Sequence, residues 1–370
     1  MRALIVSRLY ADSGNRANLH SLAGMGVALA AAVPDRWAAA DGTISRTERN
    51  DASSGIQIVP VPVRGRIGPL EDLRWKSAVI RRLVGEFRPD VIHIEEEPWT
   101  RAAAFGIRLA RRLGAHSVLS TAESLPRSYS LVQRFRRERN LRLAHGLIAA
   151  NRLAAALATR PRREGANLIL PQLGLAPPPL QPRLPHPGFN IGFVGRLVPE
   201  RGLDLLFRAC VGLAGDWTVS VLGTGPSQEE LEALAQRLGI SARISWLGAL
   251  PRAAAEAVWA RLDCVVFPSR TTPHWVLGTG QGVLQAMASG VALIGTDSGA
   301  FPELVGDAGR VVPEEDAAAL TAALQQLYAD RSECERLGSV GRRRVLEHFS
   351  PDAIAGKTLA FWRSLMPASG

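Results

Sequence analysis

Short apolar runs alternate with stretches whose apolar residues recur at helical spacing. This happens twice, on either side of a segment that can do neither. Pro177 to Gly188 holds six prolines in twelve residues. With φ fixed and N–H donors missing, it is neither helix nor central strand and reads as a stiff extended connection. Before it, apolar runs at Ala3–Ser7, Val27–Val33, Gly55–Val63, Val91–Ile94, Ser117–Ser120 and Gly146–Ala149 predict strands. Helical patterns fall between them at Ala17–Gly24, Leu73–Phe87, Trp99–Leu113 and Ser130–Ala144. After it, strands are predicted at Asn190–Val194, Thr218–Leu222, Arg243–Trp246, Cys264–Phe267 and Ala292–Thr296. Their helices are Leu203–Leu213, Gln228–Leu238, Ala253–Ala260, Gly282–Ala288 and Asp316–Asp330. Apolar strands separated by helices form parallel sheets buried on both faces. The chain therefore reads as α/β with two doubly wound domains, 1–176 and 190–349, a linker at 177–189, and a last segment, 350–370. Ser350 and Pro351 supply an N-cap and first-turn pair for a final helix.

Length and composition narrow the class further. The 370 residues are 46% apolar and 21% charged, which excludes bulk disorder and suits two globular domains. No apolar stretch approaches the ~18 residues of a membrane span, and the N-terminus has too brief an apolar run for a signal peptide. Cys210, Cys264 and Cys334 are far apart and odd in number, so neither a disulfide framework nor a metal-ligand spacing is indicated, and a reduced, cytoplasmic setting is expected. Charge is uneven: residues 1–185 carry 28 basic against 15 acidic residues, a net of +13, whereas the remainder is −3. Only Lys76 and Lys357 are lysines. Such a field attracts polyanions: nucleic acid, an anionic lipid surface or a phosphorylated substrate.

In open α/β sheets ligands lie at the carboxyl ends of the strands, near helix N-termini, so with two such domains the expected site is the cleft they face. Three segments there carry chemistry. Gly195 ends a predicted strand, and Arg196 and Arg201 follow before Gly202; two guanidiniums at that place suit the oxygens of a diphosphate, with a pair of solvated loop arginines as the alternative. The spacing G-x-x-G excludes a dehydrogenase fingerprint. Gly223 and Gly225 form a turn after the next strand, where small residues permit a close approach or simply a tight turn. Gly278 to Gly282 is a glycine-rich loop feeding a helix, an anion cradle by its N–H groups and dipole. Thr296 to Glu303 is a polar turn ending in a carboxylate. Together they point to a nucleoside diphosphate.

The order G-x-x-G-R-L-x-x-E-R-G, V-L-G-x-G-P, F-P-S-R, W-x(9)-Q-A-M-A-S-G-V and T-D-S-G-A-x-P-E-L-V resembles the nucleotide-sugar-dependent glycosyltransferases of family 4. The likeness is specific from Gly192 to Gly309 and continues more weakly through Pro89-Asp90-Val91-Ile92-His93 and Leu170-Pro171-Gln172-Leu173-Gly174. It implies a retaining hexosyltransferase of the GT-B fold: two Rossmann-like domains facing a central cleft, with the last helix crossing back to the N-terminal domain. It further implies that Arg196 and Arg201 bind the donor diphosphate, Arg201 standing where the family has lysine. Gly280, Gln281 and Gly282 would offer backbone N–H groups, and Glu303 would support sugar and ribose. Gly195 and Gly223 would lie beside the nucleotide, Gly14 would approach phosphate or acceptor, and His93 would be catalytic beside the transferred sugar. The implied donor is a nucleoside-diphosphate sugar and the acceptor a carbohydrate or a lipid-linked one, in cell-surface polysaccharide or glycolipid synthesis. No D-x-D pair occurs, so no metal and no other cofactor is expected.

Two departures stand out. Where the family carries paired glutamates for donor sugar and ribose, this chain has Leu277 and Gln285, and Ala176 replaces a usual aspartate. Gln285 can still hydrogen-bond to a diol; Leu277 cannot accept from a hydroxyl, a loss of ~1–3 kcal/mol if nothing compensates. A degenerate, non-catalytic nucleotide-sugar binder, or an epimerase of the same fold, is therefore the alternative. Glu95, Glu96 and Glu97 are adjacent and cannot all face one bond, so they read as helix N-terminal charges. Arg134, Arg136, Arg137, Arg139 and Arg142 make a basic amphipathic helix whose expected partner is an anionic membrane surface, giving a cytoplasmic protein peripheral to the inner membrane. Nucleic acid is not expected, because Phe135 is its only aromatic.

Overall fold

The computed structural model describes residues 1–38, 43–49, 55–65, 72–158, 167–184, 186–250 and 252–366. The chain forms two compact units, Met1–Gly174 with Pro351–Gly370, and Leu175–Ser350. We number only the strands of the two large sheets. Unit 1 contains β1 (Arg2–Ser7), β2 (Ala28–Pro34), β3 (Gln57–Val61), β4 (Val91–Glu95), β5 (His116–Thr121), β6 (Gly146–Ala149) and β7 (Asn167–Ile169), in the spatial order β7-β6-β5-β4-β1-β2-β3. All pairings are parallel, with Ile5 between Ala31 on β2 and His93 on β4. Unit 2 contains β8 (Phe189–Val194), β9 (Trp217–Leu222), β10 (Ile244–Gly248), β11 (Cys264–Phe267), β12 (Ala292–Thr296) and β13 (Gly309–Val312), ordered β10-β9-β8-β11-β12-β13 and again parallel.

Strand burial explains why these sheets are parallel. Ala3 and Ile5 of β1 enter one apolar cluster, Leu4 and Val6 the other, so both faces are covered and no polar face remains to be solvated. Unit 2 repeats this with Phe189, Ile191 and Phe193 on one side and Val265, Phe267 and Leu293 on the other. The final helix, Pro351–Ser364, closes one face of unit 1 with Ile354, Leu359, Phe361 and Trp362. It packs across β6 at Gly146, where a Cβ would come within 2.7 Å of Leu365 Cδ1.

Differences from the sequence reading have local causes. The run Gly55–Val63 splits: β3 takes Gln57–Val61, while Val63–Arg64 pairs antiparallel with Arg74–Trp75, and that pairing delays the next helix to Ser77. Pro60 is tolerated because β3 is the sheet edge. Helices Arg152–Ala158 and Arg331–Arg344 and the strands β7 and β13 were not anticipated. The strands are only three or four residues long, and the second helix is dominated by charge. The proline-rich segment has no regular structure, but it is not a free tether. Leu184 N donates to Ala260 O at 3.1 Å, Arg183 to the carbonyls of Leu262 and Gly290, Arg342 to Pro178 O at 2.9 Å and Arg331 to Gly188 O at 2.6 Å. It belongs to unit 2; Pro185 lies outside the described residues.

Candidate functional site

Numbered along the chain, the strands of unit 2 run 3-2-1-4-5-6 across the sheet, and the order reverses between β8 and β11. Loops leaving the carboxyl ends of these two strands diverge to opposite faces and leave a crevice, the usual ligand position in such sheets. The loop after β8 carries Arg196 and Arg201; the loop after β11 carries Trp275 and Gly280 and runs into the helix Gln281–Ala288.

Arg201 spans this crevice. Its guanidinium carbon lies 5.2 Å from the centre of the Trp275 ring, and the side chain lies along Gly195, whose missing Cβ would be 3.6–3.7 Å from it. Burial lowers its pKa, and neither a carboxylate nor a hydrogen-bond acceptor pairs with it among the described residues. Its neighbour Arg270 differs, being paired with Asp204 at 3.1 Å and Glu315 at 2.6 Å. Arg196 is exposed and has no ion pair or side-chain hydrogen bond among the described residues. Of the two arginines, Arg201 is the one stacked on Trp275.

Gly280 is the N-cap of the following helix at φ 56°, and a Cβ there would lie 2.1 Å from Leu304 Cδ1. No side chain caps this N-terminus, so the N–H groups of its first turn remain available. Gly282 is half-buried against Phe267, while Gln281 and Gln285 are exposed one turn apart. Glu303 is half-buried, with its carbonyl accepting from Arg344 at 3.0 Å.

Two further expected site residues make packing contacts. Gly223 does not face an open approach, since a Cβ would lie 1.9 Å from Gly195 O; glycine there lets two backbone turns touch. Leu277 is 4% exposed, and its side chain belongs to the apolar cluster of Phe267, Phe301 and Leu304. It packs rather than lines a polar site.

Unit 1 has the same reversal, between β1 and β4, but the position is filled from within. Tyr10 donates to Glu95 Oε1 at 3.2 Å, and Arg8 pairs with Glu96, Nε to carboxylate at 3.2 Å. Glu97 accepts from Thr121 Oγ1 at 2.7 Å and from the Ala122 amide at 2.8 Å. Burial pushes Glu95 and Glu97 up to about 7 and raises Glu96 despite Arg8. These carboxylates are not helix N-terminal charges, because Thr100 caps the next helix through Ala103 N. Their burial, and the role of Tyr10, went unread; the one available signal was an acid run closing an apolar strand.

His93 is 3% exposed, and desolvation lowers it to about 3. Its Nε2 meets Ser120 Oγ at 2.8 Å and its ring stands edge-on to Trp362 at 5.6 Å. The neutral ring lies beneath the last helix and lines a small cavity with Tyr10, Glu95 and Ser120. Gly14 is exposed in a turn where its N–H is taken by Asp12 Oδ1 at 2.9 Å. Of the five helix arginines, two are turned inward: Arg136 to Asp72 at 3.2 Å and Trp99 O at 2.9 Å, and Arg137 to Leu157 O. No helix among the described residues is long and apolar enough to cross a membrane.

Residues 188–330 match the model of the group 1 glycosyl transferases, and residues 16–170 match the glycosyl transferase 4-like domain. The chain is 28% identical over 294 residues to the GDP-mannose-dependent alpha-(1-6)-phosphatidylinositol monomannoside mannosyltransferase of Mycolicibacterium smegmatis, covering 73% of this chain and 75% of that one. It is 33% identical over 187 residues to a lipopolysaccharide core biosynthesis mannosyltransferase of Rhizobium leguminosarum bv. viciae, covering 48% and 51%; this second match spans about half the length of that relative. Among solved structures, Anabaena HepE in complex with UDP and glucose superposes with a TM-score of 0.64 at 17% identity, covering 98% of this chain and all of that one. At that identity the likeness is one of fold.

Proposed function

The chain belongs to the group 1, family 4-like glycosyltransferases of the GT-B fold, and on that premise we propose that it transfers a hexosyl group, with retention, from a nucleoside-diphosphate sugar. The acceptor is a carbohydrate or a lipid-linked one, in cell-surface polysaccharide or glycolipid synthesis. The observation that carries the reading is Arg201: a half-buried cation stacked on Trp275, lacking a carboxylate, at the strand-order reversal of unit 2. In transfer, negative charge grows on the departing diphosphate. A guanidinium held in place, and the free N–H groups at the start of the helix Gln281–Ala288, stabilise that charge with little reorganisation. We assign its neutralisation to these groups, with no resident metal or cofactor, so that a chelator should leave the rate unchanged.

We assign to Gln285, exposed one turn beyond Gln281, a hydrogen bond to a ribose hydroxyl, and to Glu303 the support of sugar and ribose. The Mycolicibacterium smegmatis relative is GDP-mannose-dependent, and the Anabaena neighbour is in complex with UDP and glucose. Melting curves with GDP, UDP and their sugars decide between them, because binding to the native state raises the melting temperature. Retention is read from the anomeric configuration of the product. Donor turnover that needs extracted acceptor supports transfer. Binding without turnover supports the non-catalytic alternative that the burial of Leu277 keeps open, and product formed without acceptor supports an epimerase. For a lipid-linked acceptor the protein would act at an inner-membrane face, through the outward arginines of the helix Leu131–Leu143.

A further inference from the structure

Leu131, Val132 and Phe135 are 85%, 64% and 68% exposed, the highest values for large apolar side chains among the described residues. Single exposed apolar residues are ordinary on protein surfaces, but three within five residues of one helix form a patch. Fraying does not account for them. Ser130 and Gln133 close a capping box, Gln133 N to Ser130 Oγ at 3.3 Å and Ser130 N to Gln133 Oε1 at 3.0 Å, which fixes the first turn. The opposite side of the helix is anchored by buried Leu141 and by Asn140, whose amide donates to Pro98 O at 2.8 Å.

At ~100° per residue, Leu131, Phe135, Arg139 and Arg142 lie along the outward stripe. Arg139 and Arg142 have no carboxylate partner among the described residues, and Arg134 meets Glu138 of its own helix at 3.6 Å. The preceding helix, Arg101–Leu113, adds Arg108 and Arg112 beside Arg139. Burial, then the charges of Arg139, Arg112 and Arg136, lower the pKa of Arg108, as expected of cations crowded without counter-charge.

We propose that this face docks on an anionic lipid bilayer, with Leu131, Val132 and Phe135 entering the boundary between headgroups and acyl chains while Arg108, Arg112, Arg139 and Arg142 contact lipid phosphates. An apolar prow with flanking cations is what such an interface takes. A nucleic-acid backbone would use the cations but leave the aliphatic pair without a role, and only one exposed aromatic is present for stacking. The inference deepens the reading of a lipid-linked acceptor by naming the surface that brings the enzyme to it.

The test is co-sedimentation of the full chain with vesicles of phosphatidylcholine alone or mixed equally with phosphatidylglycerol, without donor or acceptor. The expected result is at least ~10-fold stronger partitioning onto the anionic vesicles. Arg139→Ser should weaken it ~5-fold, and the triple change Leu131→Ser, Val132→Ser, Phe135→Ser at least ~10-fold, with the melting temperature held. Phe135→Trp should show an indole emission that shifts to the blue on anionic vesicles only. Absence of binding overturns the proposal. So does binding that the triple change leaves intact, or that a single-stranded oligonucleotide displaces while the emission of the Phe135→Trp variant stays unshifted. Because no sugar chemistry enters the assay, any of these leaves the transferase reading standing, and loss of transfer to a soluble acceptor would be the separate failure.

Discussion

At the point where strand order reverses, unit 2 presents Arg201 on Trp275 without a carboxylate, whereas unit 1 presents Tyr10, Glu95 and the pair Arg8–Glu96 bonded to one another. The first six strands of unit 1 have the same order as the six of unit 2. One reversal is left as a cationic gap; the other is filled with the chain's own acid, base and aromatic groups. The difference teaches that topology offers a site and side chains decide whether it stays open. In unit 2 glycines keep backbone turns thin and the helix start uncapped. In unit 1 side chains consume the equivalent groups, so substitutions there should read out as stability and substitutions in unit 2 as function.

The sharpest break of that contrast is Arg201→Ala. Loss of this cation should lower kcat for transfer by ~100- to 1000-fold, and should abolish the rise in melting temperature caused by a nucleoside diphosphate. Arg201→Lys, which keeps charge but not the planar fork, should recover part of both. Stability without ligand should hardly change, because the Arg201 guanidinium makes no hydrogen bond or ion pair among the described residues and its stacking on Trp275 is partly exposed. A large loss of unliganded stability would show instead that its stacking is structural.

The mirror experiment is Arg8→Ala. It leaves Glu96, whose side chain is 2% exposed, without its cation, and should cost ~3 kcal/mol of unit 1 stability at pH 8. The loss should shrink at pH 5, where the orphaned carboxyl takes up a proton. Denaturant unfolding followed for each unit should show unit 2 unaffected, and diphosphate binding should persist. Equal losses in both units would erase the distinction drawn above.

Acidity offers a third probe. Glu97 rises from 4.5 to about 7 by burial, and Glu95 does the same. A folded-state pKa above the unfolded value favours the protonated folded form. The associated stability is therefore whole below about pH 4.5, declines as pH climbs through 7, and is flat above. A shift of that size corresponds to at most ~3 kcal/mol per carboxyl. Unit 1 should melt at a lower temperature at pH 8.5 than at pH 5.5. Glu97→Gln, whose amide oxygen can still accept from the Ala122 amide while its NH2 donates to the Thr121 hydroxyl, should remove about half of the difference. A pH-independent transition would mean that water reaches these carboxyls.

How much of this the sequence disclosed follows from how local each cause is. Parallel sheets were legible because strands such as Val91–Ile94 and Cys264–Phe267 are apolar on both faces. Arg201 was legible because its place after Gly195 at a strand end is itself a local pattern. Trp275 was not, because its contact with Arg201 joins two loops 74 positions apart in the chain. His93 and Leu277 are buried, which their positions in the sequence did not disclose, for a common reason. A strand or loop residue at the right position can point to either side, and packing under Trp362 or beside Phe301 decided which. The acid run misled for the converse reason: carboxylates are rarely buried, yet Arg8, Tyr10 and Thr121, distant in sequence, supplied partners.

The smallest effect separates two residues near the start of the same helix, one packed and one exposed. Gln285 is exposed and Leu277 is buried, so only Gln285 can change donor recognition without disturbing the core. Gln285→Ala should leave stability within ~0.5 kcal/mol of the parent. If its amide meets a ribose hydroxyl, the KM for the donor should rise ~5-fold, the worth of one hydrogen bond of about 1 kcal/mol, with kcat held. Removal of an interaction made equally in ground and transition states has that signature. A fall in kcat at constant KM would instead put Gln285 against the group being transferred, and would move the sugar, rather than the ribose, to this turn of the helix.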